Sequence, residues 1–171
     1  MEKTGRRSIF IGAGGNLAHP TYGSPRQTLE AAFRELARRG VHILQVSPWY
    51  RTAPVPVSDQ PWYQNAVVEV GTDQGPDKLL ATLHEVEEAF GRVRTVANVA
   101  RMIDLDLLDF KGEIAPGGRG RPTLPHPRMA VRAFVLKPLA DLAPEWRHPE
   151  TGAPIQALLA ALPADQSTVR L

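Results

Sequence analysis

Two aspartates lie two positions apart in the apolar segment RMIDLDLLDF, residues 101–110. Side chains two apart on a strand point to the same face, so Asp104 and Asp106 would project together from a strand whose alternate residues face the core. Adjacent carboxylates repel each other unless a positive charge lies between them. Mg²⁺ prefers oxygen ligands and is often held by one or two carboxylates together with substrate phosphates. The pair is compatible with a magnesium site, and a solvated acidic strand face is the simpler alternative.

Basic side chains lie on both sides of this acid pair: Arg92, Arg94, Arg101, His126, Arg128 and Arg132. Guanidinium groups bind phosphate oxygens through two parallel hydrogen bonds, and a metal ion combined with arginine is what phosphoryl transfer needs to stabilise negative charge. Ordinary surface arginines would give the same composition. The residue types and spacing therefore indicate a possible magnesium and phosphate site and go no further.

A second group of residues could bind a flat ring. Tyr63 and Asn65 are again two apart, which would place an aromatic ring beside an amide that both donates and accepts hydrogen bonds. Packing of the tyrosine in the core explains the spacing equally well, and for Phe134 core packing is the better explanation. The glycine run at 12–15 has Leu17 where a dinucleotide motif needs its third glycine, so it predicts a tight turn.

Apolar periodicity predicts the elements that would position these side chains. A first strand is predicted within 8–16, ending in the glycine-rich turn, and further strands over 41–50, 62–70 and 102–110. Helices are predicted over 27–39, 77–90, 131–139 and 155–162. This order predicts an α+β fold with a split βαβ core, βαββαβ, in which an antiparallel sheet carries two helices on one face. The other face is then available for a site. Residues 111–122 are predicted to be a turn-rich surface segment.

Composition limits the class of protein. A chain of 171 residues that is 43% hydrophobic fits one domain, 1–171, with residues 160–171 as a polar tail. The absence of cysteine excludes disulfides and thiolate metal sites, and no apolar segment is long enough to span a bilayer. The net charge of +2 gives no reason to expect a surface for nucleic acid. We expect a cytoplasmic protein without membrane or nucleic-acid partners.

Six segments, in their order and spacing, resemble the 6-hydroxymethyl-7,8-dihydropterin pyrophosphokinase family: FIGAGGNL, PWYRTAPV, DQPWYQNAVV, EEAFGRVR, RMIDLDLLDF and LPHPRMAVRAFVLKPLADLAP. The resemblance runs from about Ile9 to Pro144. It implies a ferredoxin-like core in a three-layer α/β/α arrangement. We expect the protein to be a monomer. The implied reaction is transfer of pyrophosphate from ATP to the hydroxymethyl group of the pterin, with release of AMP, in folate biosynthesis.

The resemblance also implies roles for individual residues. Asp104 and Asp106 are similar to the acids that hold two Mg²⁺ ions against the ATP phosphates, and Arg92 and Arg101 to loop arginines that favour the transition state. The implied ATP contacts are Glu87, Arg94, Arg101, Leu107, Arg121, Thr123, His126 and Arg132. The implied pterin contacts are Tyr63 and Phe134 on the two ring faces, Asn65 on the edge, and Thr52 and Val55.

The sequence departs from the family in the segment before the acid pair. The family's lid tryptophan is missing, with Asn98 or Val99 near its place. A diverged member that binds pterin or nucleotide with weak turnover is therefore the alternative. An RNA-recognition domain on the same framework is a third hypothesis. It ranks last because the exposed aromatic pattern that such domains carry on their strands is not present.

Overall fold

A computed structural model describes residues 8–54, 58–91 and 102–171. Six strands form the main sheet: β1 (Ile9–Gly15), β2 (His42–Val46), β3 (Tyr50–Thr52), β4 (Tyr63–Gly71), β5 (Asp104–Phe110) and β8 (Thr168–Arg170). A separate hairpin consists of β6 (Ala115–Gly118) and β7 (Arg121–Leu124). The helices are α1 (Pro25–Arg38), α2 (Pro76–Ala89), α3 (Ala133–Leu142) and α4 (Ile155–Ala160).

The main sheet has the order β5-β1-β4-β3-β8, and β2 pairs with β4 along the same edge as β3. Every strand pair in the described residues is antiparallel. With β2 and β3 counted as one interrupted strand, the chain follows the order βαββαβ. This confirms the predicted ferredoxin-like α+β fold and its antiparallel sheet.

Each face of the sheet packs against a different pair of helices. On one face, α1 and α2 bury apolar residues such as Leu36 and Leu83 against Ile11 of β1. On the other face, α3 and α4 bury residues such as Leu136 against Phe10 of β1. The result is the predicted three-layer α/β/α arrangement. No helix in the described ranges has both the length and the apolar character of a membrane span.

The first helix begins where its sequence supplies a cap. The Ser24 hydroxyl accepts a hydrogen bond from the Gln27 backbone N–H, the Gln27 side chain accepts one from the Ser24 N–H, and Pro25 occupies the first turn. This capping box satisfies N–H groups that a helix start leaves without partners. The helix therefore starts two residues before the predicted Gln27. Gly40, with φ of +87°, follows its end.

The predicted strand over 41–50 is two strands. Pro48 has no N–H for the ladder, and the Ser47 hydroxyl instead accepts a hydrogen bond from the Val67 N–H at 2.9 Å. Residues 47–49 belong to no strand, and the chain resumes as β3 on the same edge of β4.

Two further predictions missed strands. The segment predicted as turn-rich surface contains the hairpin of β6 and β7. The residues predicted as a polar tail contain β8, which pairs with β3.

The prediction of a tight turn at the glycine run was wrong. Residues 12–15 belong to β1 and pair with β4 on one side, while 12–14 pair with β5 on the other. Glycine is uncommon in the interior of a strand and often marks a place where another group approaches the backbone closely. That is the situation at Gly14, described below.

Candidate active site

Three neighbouring strands form the floor of the candidate site. Gly14 on β1 pairs with Asp104 on β5 and with Asn65 on β4, and Gly12 pairs with Asp106. A Cβ atom at Gly14 would lie 2.3 Å from the Asn65 Oδ1 atom, so a side chain there would force the Asn65 amide to move. Because Gly14 carries no side chain, the Asn65 amide can lie over its backbone, next to the strand that carries the acid pair.

A cavity of about 170 Å³ lies above this floor. Seven of the residues predicted from the sequence line it: Thr52, Tyr63, Asn65, Asp104, Asp106, Arg132 and Phe134. These side chains come from β3, β4, β5, the residue before α3, and α3 itself. The cavity therefore brings the acid pair together with most of the residues predicted to bind a flat ring.

Sequence reasoning missed several residues of the lining, among them Gly12, Gly14, Pro54, Ser58 and Gln60. One signal for the glycines was present. Gly12 and Gly14 are two apart, like the two aspartates and like Tyr63 and Asn65, so all three pairs follow the period of a strand. Pro54, Ser58 and Gln60 belong to a proline-rich connection that carries no periodicity.

The side chain of Asn65 is held in place by Thr52. Its Nδ2 atom donates a hydrogen bond to the Thr52 hydroxyl oxygen at 2.6 Å, and both residues are buried. Thr52 is opposite Tyr63 in the pairing of β3 with β4. An amide has two N–H donors and one carbonyl acceptor, so Asn65 keeps a donor and an acceptor with which it can bind the edge of a ring.

Cationic and aromatic groups meet at the start of α3. The Arg132 guanidinium lies 5.4 Å from the centre of the Phe134 ring, within the range of a cation–π interaction. Arg132 is the residue before the first turn of α3, and Phe134 is in that turn. One turn of backbone thus presents a positive charge and an aromatic face to the same cavity.

The charges of Arg132, Arg128 and Asp104 affect the protonation of His126. Burial, with further contributions from Arg132 and Arg128, lowers the pKa of His126 to about 4, while Asp104 acts in the opposite direction. The imidazole is therefore neutral at neutral pH. Its Nδ1 atom accepts a hydrogen bond from the Arg128 N–H at 3.2 Å. The proton of the neutral ring is then on Nε2, which makes that atom a hydrogen-bond donor.

Five residues predicted as ATP contacts lie outside the lining of the cavity: His126, described above, and Glu87, Leu107, Arg121 and Thr123. Glu87 is fully buried, and its carboxylate accepts a hydrogen bond from the Leu105 N–H at 2.9 Å, which attaches α2 to β5. Leu107 is buried in the core between the sheet and the first helix pair. Arg121 and Thr123 are exposed on β7, which packs against α2 and β5.

The remaining predicted residues are Arg92, Arg94, Arg101 and Val55. They belong to segments 92–101 and 55–57 and lie outside the described residues.

Asp104 and Asp106 are suitable ligands for Mg²⁺. Both are half-buried, they share one face of β5, and both line the cavity. Carboxylate oxygens are the ligands that this cation prefers. Among the residues that the structure describes, no three histidine, cysteine, aspartate or glutamate side chains gather in a group that could hold a metal. A cation bound here would therefore take further oxygen ligands from substrate or water.

Comparisons with known proteins identify similar sequences and folds. Residues 10–144 match the family model of 7,8-dihydro-6-hydroxymethylpterin-pyrophosphokinase (HPPK). The chain is 38% identical over 156 residues to the 2-amino-4-hydroxy-6-hydroxymethyldihydropteridine pyrophosphokinase of Pseudomonas aeruginosa, and the match covers 91% of each chain.

Two other matches are to longer proteins. The folic acid synthesis protein fol1 of Pneumocystis carinii is 34% identical over 148 residues, which are 86% of this chain but only 19% of that protein. A crystal structure of HPPK-DHPS from Plasmodium falciparum aligns with a TM-score of 0.66 at 13% identity, covering 90% of this chain and 41% of that one. The match to the Plasmodium falciparum structure, at 13% identity, bears on the fold alone.

Proposed function

Since the chain belongs to the HPPK family, we propose that it transfers pyrophosphate from ATP to the hydroxymethyl group of 6-hydroxymethyl-7,8-dihydropterin and releases AMP. The observation that carries this proposal is the cavity itself. An acid pair suited to Mg²⁺ lies on β5, and an anchored amide lies on β4, with only β1 between these two strands. Aromatic residues also line the cavity. A metal-dependent transfer between a polyphosphate and a flat heterocycle needs this combination of groups.

The pterin half of the proposed site comprises Thr52, Val55, Tyr63, Asn65 and Phe134. We assign Tyr63 and Phe134 to the two faces of the pterin, because aromatic rings stack favourably on flat heterocycles. Asn65 would bind the donor and acceptor atoms along the pterin edge. Its bond to Thr52 supports this assignment, because an amide fixed in one orientation selects a ligand with the matching pattern of donors and acceptors.

The nucleotide half is assigned by charge and by family membership. Asp104 and Asp106 would hold two Mg²⁺ ions, which when bound neutralise the charge of the ATP phosphates. Arg132 and the Nε2–H of His126 would bind phosphate oxygens. The other proposed ATP contacts are Glu87, Arg94, Arg101, Leu107, Arg121 and Thr123, and Arg92 and Arg101 would stabilise the transition state.

The reaction requires the protein mainly to position the two substrates. The hydroxymethyl oxygen of the pterin loses its proton to solvent and forms a bond to the β-phosphorus of ATP. The bond from that phosphorus to the α-phosphate oxygen breaks, and AMP leaves. Catalysis of this type depends on alignment of the two substrates and on stabilisation of negative charge. A cavity that holds the ring while presenting cationic groups to the polyphosphate performs both tasks.

We further propose that residues 1–171 act as one domain and as a cytoplasmic monomer. The apolar clusters on both faces of one sheet support the first point. The absence of cysteine suits a reducing compartment. Light scattering of the purified chain tests the oligomeric state, and a dimer mass would contradict the monomer.

An assay of the nucleotide product tests the reaction. The chain is incubated with ATP, Mg²⁺ and the hydroxymethyl pterin, and the products are separated by chromatography. We expect AMP and pterin diphosphate in equal amounts, and no AMP when Mg²⁺ is replaced by a chelator. Release of ADP, or AMP release that does not require the pterin, would contradict the proposal.

Calorimetry with a non-hydrolysable ATP analogue complements this assay, because it measures each binding event separately. We expect the analogue to bind only with Mg²⁺ and the pterin to bind in the same sample. If both ligands bind in calorimetry but ATP yields no AMP in the product assay, the proposed turnover is contradicted.

A further inference from the structure

Residues 166–170 connect two elements that line the cavity. One is the end of β3, where Thr52 lies. There β8 pairs with β3, with Thr168 opposite Thr52, and the Ala53 N–H donates a hydrogen bond to the Ser167 carbonyl oxygen at 3.0 Å. The other is the start of α3. The residues that make this connection, 166–170, follow the part of the chain that matches the family model, which ends at residue 144.

The side chain of Gln166 makes the contact with the start of α3. Its Oε1 atom accepts a hydrogen bond from the Ala133 N–H at 2.8 Å, and its Nε2 atom donates one to the Val131 carbonyl oxygen at 2.7 Å. These two backbone groups lie on either side of Arg132. The Gln166 amide therefore holds the backbone that carries Arg132 and leads directly into Phe134.

This contact replaces a local helix cap. Arg132 is the N-cap residue of α3, and its own side chain makes no capping hydrogen bond. The N–H groups in the first turn of a helix have no partner within the helix and need one from elsewhere. Gln166 supplies it from 33 positions further along the chain. The first turn of α3 thus depends on a distant side chain for its position.

Other contacts hold α3 further along its length. The Lys137 ammonium donates a hydrogen bond to the Thr168 hydroxyl at 2.5 Å, and the Tyr50 hydroxyl donates one to the Asp141 carboxylate. These contacts attach the middle and the end of the helix to β8 and β3. Loss of the Gln166 contact would consequently release the first turn while the rest of α3 stays attached.

We propose that Gln166 is a positioning residue for the pterin half of the active site. It sets the position of Phe134 relative to Tyr63, which pairs with Thr52 across β3 and β4, and with it the width of the space that receives a flat ring. The proposal rests on the function proposed above, because it takes the pterin as the ligand. Gln166 itself touches no substrate and acts through the backbone of residues 131–133.

The test compares three variants. Gln166→Ala removes both hydrogen bonds, and Gln166→Glu keeps an acceptor for the Ala133 N–H but places a carboxylate against the Val131 carbonyl oxygen. Gln156→Ala is the matched control, because Gln156 is exposed on α4. Calorimetry gives the pterin dissociation constant, steady-state kinetics give KM and kcat, and amide hydrogen exchange reports on the N–H groups of Ala133 and Phe134.

We expect Gln166→Ala to raise the dissociation constant and the KM for the pterin about tenfold while kcat falls by less than about threefold, as for a displaced binding group. Exchange at Ala133 and Phe134 should accelerate. Gln166→Glu should lie between Gln166→Ala and the wild type, and Gln156→Ala should match the wild type in every measurement.

A lower melting temperature with pterin affinity and KM unchanged in Gln166→Ala would overturn the proposal, because the contact would then serve stability alone. If Gln166→Ala does not fold, Gln166→Glu decides by the same measurements. Failure of the proposed function gives a different result, since the wild-type chain itself would then bind no pterin. In that case the inference falls together with its premise.

Discussion

The two halves of the proposed active site differ in how they are built. In the pterin half, side chains from β3, β4 and α3 already surround one cavity, and the amide of Asn65 is fixed by a buried hydrogen bond of 2.6 Å. In the nucleotide half, Glu87 is fully buried and bonds to the backbone of β5. Arg121, by contrast, has a side chain that is 74% exposed and lies 3.9 Å from Asp77.

This difference has an energetic consequence. A preformed pocket binds its ligand without first ordering the side chains that make the contacts, so its affinity depends mainly on packing and hydrogen bonds. Exposed guanidinium groups contribute little to binding and are screened by salt. We therefore expect pterin binding to depend on individual wall residues. Nucleotide binding should depend chiefly on the acid pair and the metal.

The acid pair should give the largest effect. We expect Asp106→Asn to lower kcat by about 10³-fold, because it removes half of the carboxylate charge that would hold the metal against the ATP phosphates. Pterin affinity measured without nucleotide should change by less than about twofold, since neutral ring contacts do not need this charge. Coupled detection of AMP measures kcat, and calorimetry measures binding.

Asp73→Asn is the matched control, because Asp73 is exposed in the turn before α2. It should retain wild-type activity. An Asp106→Asn variant with normal kcat would contradict the metal assignment. One that loses pterin binding to the same degree would show that the two halves are not independent.

Removal of an aromatic wall should weaken the pterin half selectively. We expect Phe134→Ala to raise the pterin dissociation constant by about tenfold or more, through loss of stacking and of buried apolar area. Phe134→Leu keeps much of the apolar area without the aromatic face and should lie between the alanine variant and the wild type. Equilibrium titration with the pterin measures both. Unchanged affinity in Phe134→Ala would show that the ring binds elsewhere.

The hydrogen bond between Tyr50 and Asp141 should matter for stability, because it joins β3 to α3 behind the pterin half. We expect Tyr50→Phe to lower the free energy of unfolding by about 1 kcal/mol at neutral pH, the usual net contribution of one such bond. Urea denaturation measures the change. The pterin dissociation constant should rise slightly at most, since Gln166 still holds the first turn of α3.

The same residue gives a pH dependence. Burial, together with the bond to Asp141, raises the pKa of Tyr50 to about 12 from its usual 10.0. Between these values the unfolded chain releases the phenol proton while the folded chain keeps it, so stability falls as pH rises through this window. Urea denaturation at several pH values across this window should show that the free energy of unfolding declines less steeply with pH for Tyr50→Phe than for the wild type. Equal slopes for the two proteins would contradict the raised pKa.

The smallest effect is expected on the exposed side of the nucleotide half. Arg121→Ala should change the dissociation constant of the ATP analogue by less than about threefold, as for other exposed charges. Arg119→Ala on the same hairpin is the control, because its side chain is also exposed. A much larger loss for Arg121→Ala alone, measured by calorimetry, would show that this half is organised more tightly than its exposure indicates.

Several features could be predicted from the sequence because they depend on local periodicity. A strand alternates its side chains, so the shared face of Asp104 and Asp106 and that of Tyr63 and Asn65 followed from their spacing. The two long helices followed from their apolar stripes. The ferredoxin-like order followed from the sequence of elements and from the family resemblance.

Other features could not be predicted in this way. The composition of the glycine run is typical of a turn and predicts one. The role of this run in the floor of the cavity depends on the approach of Asn65 from the neighbouring strand. Likewise, no local pattern predicts that the Glu87 carboxylate accepts a hydrogen bond from the Leu105 N–H. In each case the deciding partner lies far away in sequence.

The sequence by itself thus determined which residues share a face, where the main helices form and which family the chain resembles. Only the tertiary structure decided that β8 joins the sheet and that Gln166 reaches the start of α3. It also decided that Gly14 lies between Asp104 and Asn65. The physical reason is range: alternation and capping act over a few residues, whereas these contacts depend on which surfaces meet when the layers pack.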